Sequence, residues 1–142
     1  MFRYVFIFSV AVFSLLVSAG SALYPQKVAE KILLIKVDGA GKITAGRDTI
    51  GSDELARYIQ ERLFKSYMGT GKMHDRIKFE KSGENIPDMM VEAVLKEIRE
   101  GQKRALTELC LEKYKKLFDN LEQKKQEKLK KQYPVLFQTD YS

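Results

Sequence analysis

Residues 2–24 read FRYVFIFSVAVFSLLVSAGSALY, with Arg3 as their one charge. A run apolar on every side has no polar face to turn to water, so it is unsuited to a surface helix or an edge strand. Crossing hydrocarbon takes about 20 apolar residues, and between Tyr4 and Leu23 the run is interrupted by serines alone among polar side chains. As a retained anchor it is just long enough, with Tyr24 and Pro25 at the far interface. As a secretory signal, Arg3 is the positive start and residues 4–17 the apolar stretch, with Val17-Ser18-Ala19 or Gly20-Ser21-Ala22 as a small-residue cleavage site. Both readings carry the residues after about 25 across a membrane. A buried core helix is the third reading.

The rest of the chain is large enough for one domain and an appendage. The chain has 142 residues, of which 44% are hydrophobic and 31% charged, enough apolar surface for a core. One Cys excludes a disulfide framework and a multi-Cys metal site, and one His excludes a multi-His site. The expected organisation is an anchor or signal over residues 1–24, a folded unit over 30–112 and a basic helical extension over 113–142. Residues 103–131 hold ten Lys/Arg against five Asp/Glu, which accounts for nearly all of the net charge of +6.

Residues 31–38 (KILLIKVD) alternate as a strand, with Leu33, Ile35 and Val37 on one face and Ile32 and Leu34 on the other. Gly39-Ala40-Gly41-Lys42 reads as a tight hairpin turn. Residues 43–50 (ITAGRDTI) return, with Gly46 marking a second turn or a bulge. Ser52 suits a helix N-cap, with Asp53 and Glu54 in the first turn. Leu55, Tyr58, Ile59, Leu63 and Tyr67 follow at helical spacing up to Met68, and Gly69-Thr70-Gly71 ends that helix. Residues 75–80 (DRIKFE) alternate with Ile77 and Phe79 inward. A loop over 81–86 leads to Pro87, suited to the first position of a second helix, and Asp88. Val91, Val94, Leu95 and Ile98 line its buried face, and Gly101 closes it. The expected fold class is α+β: a small sheet with two amphipathic helices on one face, preceded by the membrane or signal helix and followed by a basic C-terminal helix.

Residues 105–111 fit either a closing strand, with Ala105, Thr107, Leu109 and Leu111 on one face, or a helix through Leu106, Cys110, Tyr114 and Leu117. Residues 119–132 are helical but poorly apolar, and Pro134 stops them. Val135-Leu136-Phe137 is an apolar patch expected to pack back on the domain.

Signals for chemistry are thin, and no enzyme activity, cofactor or metal is expected. Gly69-Thr70-Gly71-Lys72 fails the phosphate-loop spacing, because Ser66 stands where the first Gly belongs and Met73 replaces the Ser/Thr. His74 has no second His and no placed nucleophile, so no triad can be built on it. Cys110 lies on an apolar stripe as a small core residue. Asp48, Asp53 and Glu54 are explained by a helix start. The run KKQEKLKK holds the candidate contact residues Lys124, Lys125, Lys128, Lys130 and Lys131. They form either a solvated helix face or a surface for anionic lipid, cell-wall polymer or an acidic partner. Nucleic acid is not expected, since the chain is exported and the run lacks interleaved aromatics.

In order and spelling, residues 32–101 resemble the periplasmic domain of the ExbD/TolR family. The segments that carry the likeness are ILLIKVDGAGKI, AGRDTIGSDELARYIQ and IKFEKSGENIPDMMVEAVLKEIREG. In that family a Gly-containing turn precedes a helix rich in Glu and Leu. A strand, a charged loop, a Pro, an amphipathic helix and a terminal Gly come next. The resemblance covers about half the chain. It implies a single-span, non-enzymatic subunit of a proton-motive-force-driven complex in the Gram-negative inner membrane, with its C-terminal domain in the periplasm. The implied partners are an ExbB-like protein, a TonB-like protein that drives outer-membrane transport, a second copy in a homodimer, and the cell wall. The alternative is a stand-alone periplasmic binding or scaffolding module, soluble after signal cleavage. The sequence departs from the family at one point of mechanism. An ExbD-type span carries an Asp as its proton-responsive group, a costly residue in hydrocarbon, whereas no Asp or Glu precedes Glu30 here. The proton path is then expected to lie in a partner or in a segment upstream of Met1, or else the chain keeps only the periplasmic role.

Overall fold

The computed structural model describes residues 29–142. The anchor or signal expected over residues 1–24 lies outside the described residues. In chain order the elements are β1 (Ile32–Asp38), β2 (Ile43–Ala45), β3 (Asp48–Ile50), α1 (Leu55–Thr70), β4 (Arg76–Ser82) and α2 (Asp88–Tyr114). A 3-10 turn (Phe118–Asn120), α3 (Gln123–Gln132) and a second 3-10 turn (Pro134–Phe137) complete them. The fold is α+β, with four strands in the order β3-β2-β1-β4. The sheet is mixed: β1–β2 and β2–β3 are antiparallel, and β4 lies parallel to β1. Among the described residues no helix is long and apolar enough to cross a membrane.

The first hairpin forms where Asp38 ends β1. Its carboxylate accepts from the Ala40 and Lys42 N–H groups at 3.0 and 2.9 Å, an Asx-type closure that satisfies turn donors locally. Gly41 supplies the positive φ of 84°. At Gly46, with φ 62°, the second turn reverses the chain through a two-residue loop, so Ala45 faces Asp48. Residues 43–50 are therefore two short strands, and the first three strands form a meander.

Alternation along β1 places Leu33, Ile35 and Val37 in the core. The parallel register sets Leu33 beside Ile77 and Ile35 beside Phe79. Leu55, Ile59 and Leu63 of α1 join the same core, as do Val94, Ile98, Ala105 and Leu109 of α2. Both helices thus cover one face of the sheet, while Ile32 and Lys36 are exposed on the other. Each fully buried Ile or Leu here contributes roughly 1.5–3 kcal/mol of burial.

Three expectations are corrected, and the open choice between strand and helix over residues 105–111 is decided for the helix. Gly101 does not close the second helix; α2 continues to Tyr114, where Lys115 ends it at φ 56°. Gly101 sits where α2 presses on α1, since a Cβ there would lie 2.7 Å from the Ile59 Cβ and 2.8 Å from the Ala56 carbonyl oxygen. The glycine allows close approach of two helices and terminates neither. In consequence residues 105–111 are helix, not a closing strand, and Ala105, Leu109 and Cys110 extend the stripe begun by Val94 and Ile98. The first helix starts after Ser52, with Glu54 at the N-cap position and no side-chain cap. A turn from the Glu54 N–H to the Gly51 carbonyl comes first, and the Tyr58 N–H makes the opening helical bond to Glu54. Pro87 stands just before α2, at the N-cap, and not at its first position.

Past α2 the chain folds back on the domain. Leu121, Leu129, Tyr133, Val135 and Leu136 are buried in the same core as the sheet. The apolar patch over residues 135–137 packs home as expected, with Phe137 edging onto Phe118 at 5.4 Å between ring centroids.

Candidate functional site

α3 has ten residues and buries one of them, Leu129. Its polarity leaves the helix little hydrophobic hold of its own. It is fastened by Leu129 below and by Gln126, whose Nε2 donates to the Phe118 carbonyl at 2.9 Å. Lys130 and Lys131 occupy its last turn, where the helix dipole favours cations.

All five candidate lysines are exposed. At about 100° per residue, Lys124, Lys128 and Lys131 fall within roughly 60° on one side of the helix, with Lys125 at the margin and Lys130 on the far flank. The structure thus gathers four of the five and sets Lys130 apart. Lys125 is held over the Tyr114 ring at 5.3 Å and Lys130 over Phe137 at 6.0 Å, while Lys113, from α2, stands 5.4 Å from the Tyr133 ring. Among the described residues none of the ion pairs involves these five lysines. Glu127 is exposed on the same side of the helix as Lys124 and Lys131, which leaves the stripe with an excess of positive charge, and each ammonium acts as a compact, hydrated point charge. Such a stripe attracts an anionic surface electrostatically, and salt screens the attraction.

The other residues singled out have structural roles. Gly69 and Thr70 are the last turn of α1, and Gly71, at φ 74°, returns its N–H to the Tyr67 carbonyl at 2.7 Å. A helix C-terminus presents carbonyls, the wrong end for a phosphate. His74 is half-buried beside a cleft of about 630 Å³ that Lys31, Lys72 and Asp75 also line. Its Nδ1 has no hydrogen-bond partner. Burial, then the Lys31 and Arg62 charges, hold the imidazole below its ordinary range against the opposing pull of Asp75. Cys110 is fully buried, and burial pushes its thiol up, away from the reactive thiolate. Asp48 forms no carboxylate pair. It accepts from Arg62 at 2.8 Å and from the Tyr58 hydroxyl at 3.0 Å; these bonds, Arg62 first, lower its carboxyl's affinity for a proton. Among the described residues no group of three or more His, Cys, Asp or Glu is placed to hold a metal ion.

One constellation escaped the sequence reading. Gln102 is 3% exposed in α2, and its side chain bonds to the segment after Pro134. Its Nε2 donates to the Val135 carbonyl at 2.7 Å and the Gln138 carbonyl at 3.1 Å. Its Oε1 accepts from the Tyr141 hydroxyl at 2.5 Å. The signal that could have found it is a lone amide on an apolar stripe, visible once the helix is continued through Gly101. A scan against protein-family models finds no match to this chain, and a search of curated proteins finds none either.

Proposed function

We propose that this chain is a non-enzymatic accessory subunit of a proton-motive-force-driven energy-transduction complex of the ExbB–ExbD/TonB kind, supporting transport at the outer membrane. One observation carries the proposal. The three segments that resemble the ExbD/TolR periplasmic domain build β1 with its turn, the β3-to-α1 passage and the β4–α2 pair, all around one core. The β3 edge of the sheet and the helix faces offer surface for protein contact. In this proposal the described residues stand in the periplasm, residues 1–24 anchor them, and an ExbB-like partner supplies the proton path.

The test is co-purification from the native host. An affinity tag is placed in the exposed loop at Gly83 and Glu84, so that the packed segment after Pro134 stays undisturbed. A polytopic ExbB-like protein recovered in stable amount from mild-detergent extracts is the expected result. Recovery only from the soluble periplasm, alone and shortened at the N-terminus, would overturn it.

That second outcome fits a stand-alone periplasmic module contacting cell wall or an acidic partner. The exposed Lys124, Lys128 and Lys131 stripe favours this second reading. Its binding should weaken as salt rises.

A further inference from the structure

β4 ends the sheet, and an end strand leaves a row of main-chain groups open to pairing. Here residues 138–142 run along that edge. The Tyr141 carbonyl accepts from the Phe79 N–H at 2.7 Å. The Gln138 side-chain amide pairs with both main-chain groups of Ile77: its Oε1 accepts from the Ile77 N–H at 2.8 Å, and its Nε2 donates to the Ile77 carbonyl at 2.6 Å. The segment advances in the direction of β4, with an amide side chain standing in for one rung of a parallel ladder. From the other side Gln102 grips the Tyr141 hydroxyl and the Gln138 carbonyl. Alongside residues 139–142 the groove between β4 and α2 widens into a cleft of about 370 Å³. Phe79, Val91 and Leu95 are its apolar lining, Lys81 and Arg99 are its cations, and Asp140 of the seated segment is its one acid.

We infer that the groove between β4 and α2 is a peptide-docking site, occupied in cis by residues 138–142 and open to exchange for an extended segment of a partner protein. The seated segment shows what the site recognises: a side-chain amide at one position and a tyrosine three residues on. The widened cleft adds an apolar residue against Val91 and Leu95 and a carboxylate toward Lys81 and Arg99. The cis segment is held by main-chain groups, one amide and one phenol, so a strand bearing the same groups competes for the same partners. This site goes beyond the subunit proposal and does not depend on it.

The test uses the full chain in mild detergent and a fluorescein-labelled hexapeptide, Phe-Gln-Thr-Asp-Tyr-Ser, as the probe, read by fluorescence anisotropy. Tyr141→Ala removes the ring and hydroxyl that seat the cis segment. Because a site filled in cis is open only part of the time, this variant should bind the probe about ten-fold more tightly than the unaltered chain. A probe with Ala in place of Gln should lose that binding. Hydrogen exchange at the Ile77 and Phe79 amides should quicken in the variant and slow again with the probe. Equal probe binding by the unaltered chain and the folded variant, with both amides indifferent to the probe, would overturn the docking site and leave residues 138–142 a fixed edge cover. Should Tyr141→Ala not fold, Tyr141→Phe keeps the ring and drops only the hydroxyl, and the expected gain is about three-fold. Failure here leaves co-purification with a polytopic partner unaffected, and absence of that partner leaves probe binding unaffected.

Discussion

Replacing Gly101 by Ala measures how closely α1 and α2 approach. In an open helix interior, Ala gains about 1 kcal/mol over Gly. Here the new Cβ would stand 2.7 Å from the Ile59 Cβ, 2.8 Å from the Ala56 carbonyl oxygen and 2.9 Å from the Ile59 Cγ2. The carbonyl is helix backbone, and a β-branched Ile in a helix has one strongly preferred rotamer, so neither swings aside. Relief requires parting the helices by about 0.5–1 Å, a gap that forfeits roughly a quarter to a half of the dispersion well at each facing contact. Overpacking costs about 1–3 kcal/mol, and a backbone obstacle places this site near the top of that range. Less the propensity gain, Gly101→Ala should destabilise by about 2 kcal/mol. At about 4 °C per kcal/mol for a domain near this size, Tm should fall by about 8 °C. Far-UV circular dichroism on heating, with urea unfolding beside it, reads the change. Gly101→Val should cost more. Gly69→Ala is the control: it lies in α1 with nothing within 4 Å of a new Cβ, and it should stabilise by about 0.5–1 kcal/mol. A Gly101→Ala chain that gains stability alongside Gly69→Ala would refute the close approach.

Three further outcomes are expected. Lys124, Lys125, Lys128 and Lys131 changed together to Gln should leave the fold intact, each exposed change staying within about 0.5 kcal/mol, while co-sedimentation with anionic vesicles at low salt falls sharply. An equal loss from Lys130→Gln alone would count against a one-sided stripe. Gln102→Leu strands the Tyr141 hydroxyl and the Val135 and Gln138 carbonyls, so it should cost about 1–3 kcal/mol and quicken hydrogen exchange at Ile77 and Phe79; an unchanged Tm would dismiss Gln102 as a fastening. His74, the chain's one histidine, should titrate by NMR with its midpoint below the ordinary 6.5, because burial and then Lys31 and Arg62 disfavour the cation. The unfolded chain then takes up this proton more readily than the native one, so the His74 contribution is complete above about pH 6.5 and drains as pH falls below it. His74→Gln should flatten that part of the stability curve, and a midpoint above 6.5 would reverse the sign.

The strands were legible because period-two alternation is local: Leu33, Ile35 and Val37 announce their face without outside help. Gly41 and Gly46 were legible as turns for the same reason, since their backbone needs are met within a few residues. Gly101 misled because a lone glycine late in a helix carries the same local signature whether it ends the helix or makes room for a neighbour. Only the presence of Ile59 across the interface separates the two. Once Gly101 is taken as a stop, Ala105, Thr107, Leu109 and Leu111 become a plausible strand, and Gln102 drops out of any stripe. For the candidate site, exposure of the α3 lysines followed from composition, but setting Lys130 apart required the helix phase fixed by Leu129. The hold of Gln138 and Tyr141 on β4 has no periodicity, and its hydrogen bonds span 61 residues from Ile77 to Gln138.

The uninterrupted course of α2 has a mechanical consequence. Its 27 residues, at 1.5 Å each, make a strut of about 40 Å. Near one end it lies against the sheet through Val94 and Ile98, and at the other Tyr114 underlies Lys125 of the basic helix. With Gly101 packed against α1, α2 is one unbroken hydrogen-bonded rod, and the packing beneath the sheet and the footing of the basic helix belong to a single rigid element.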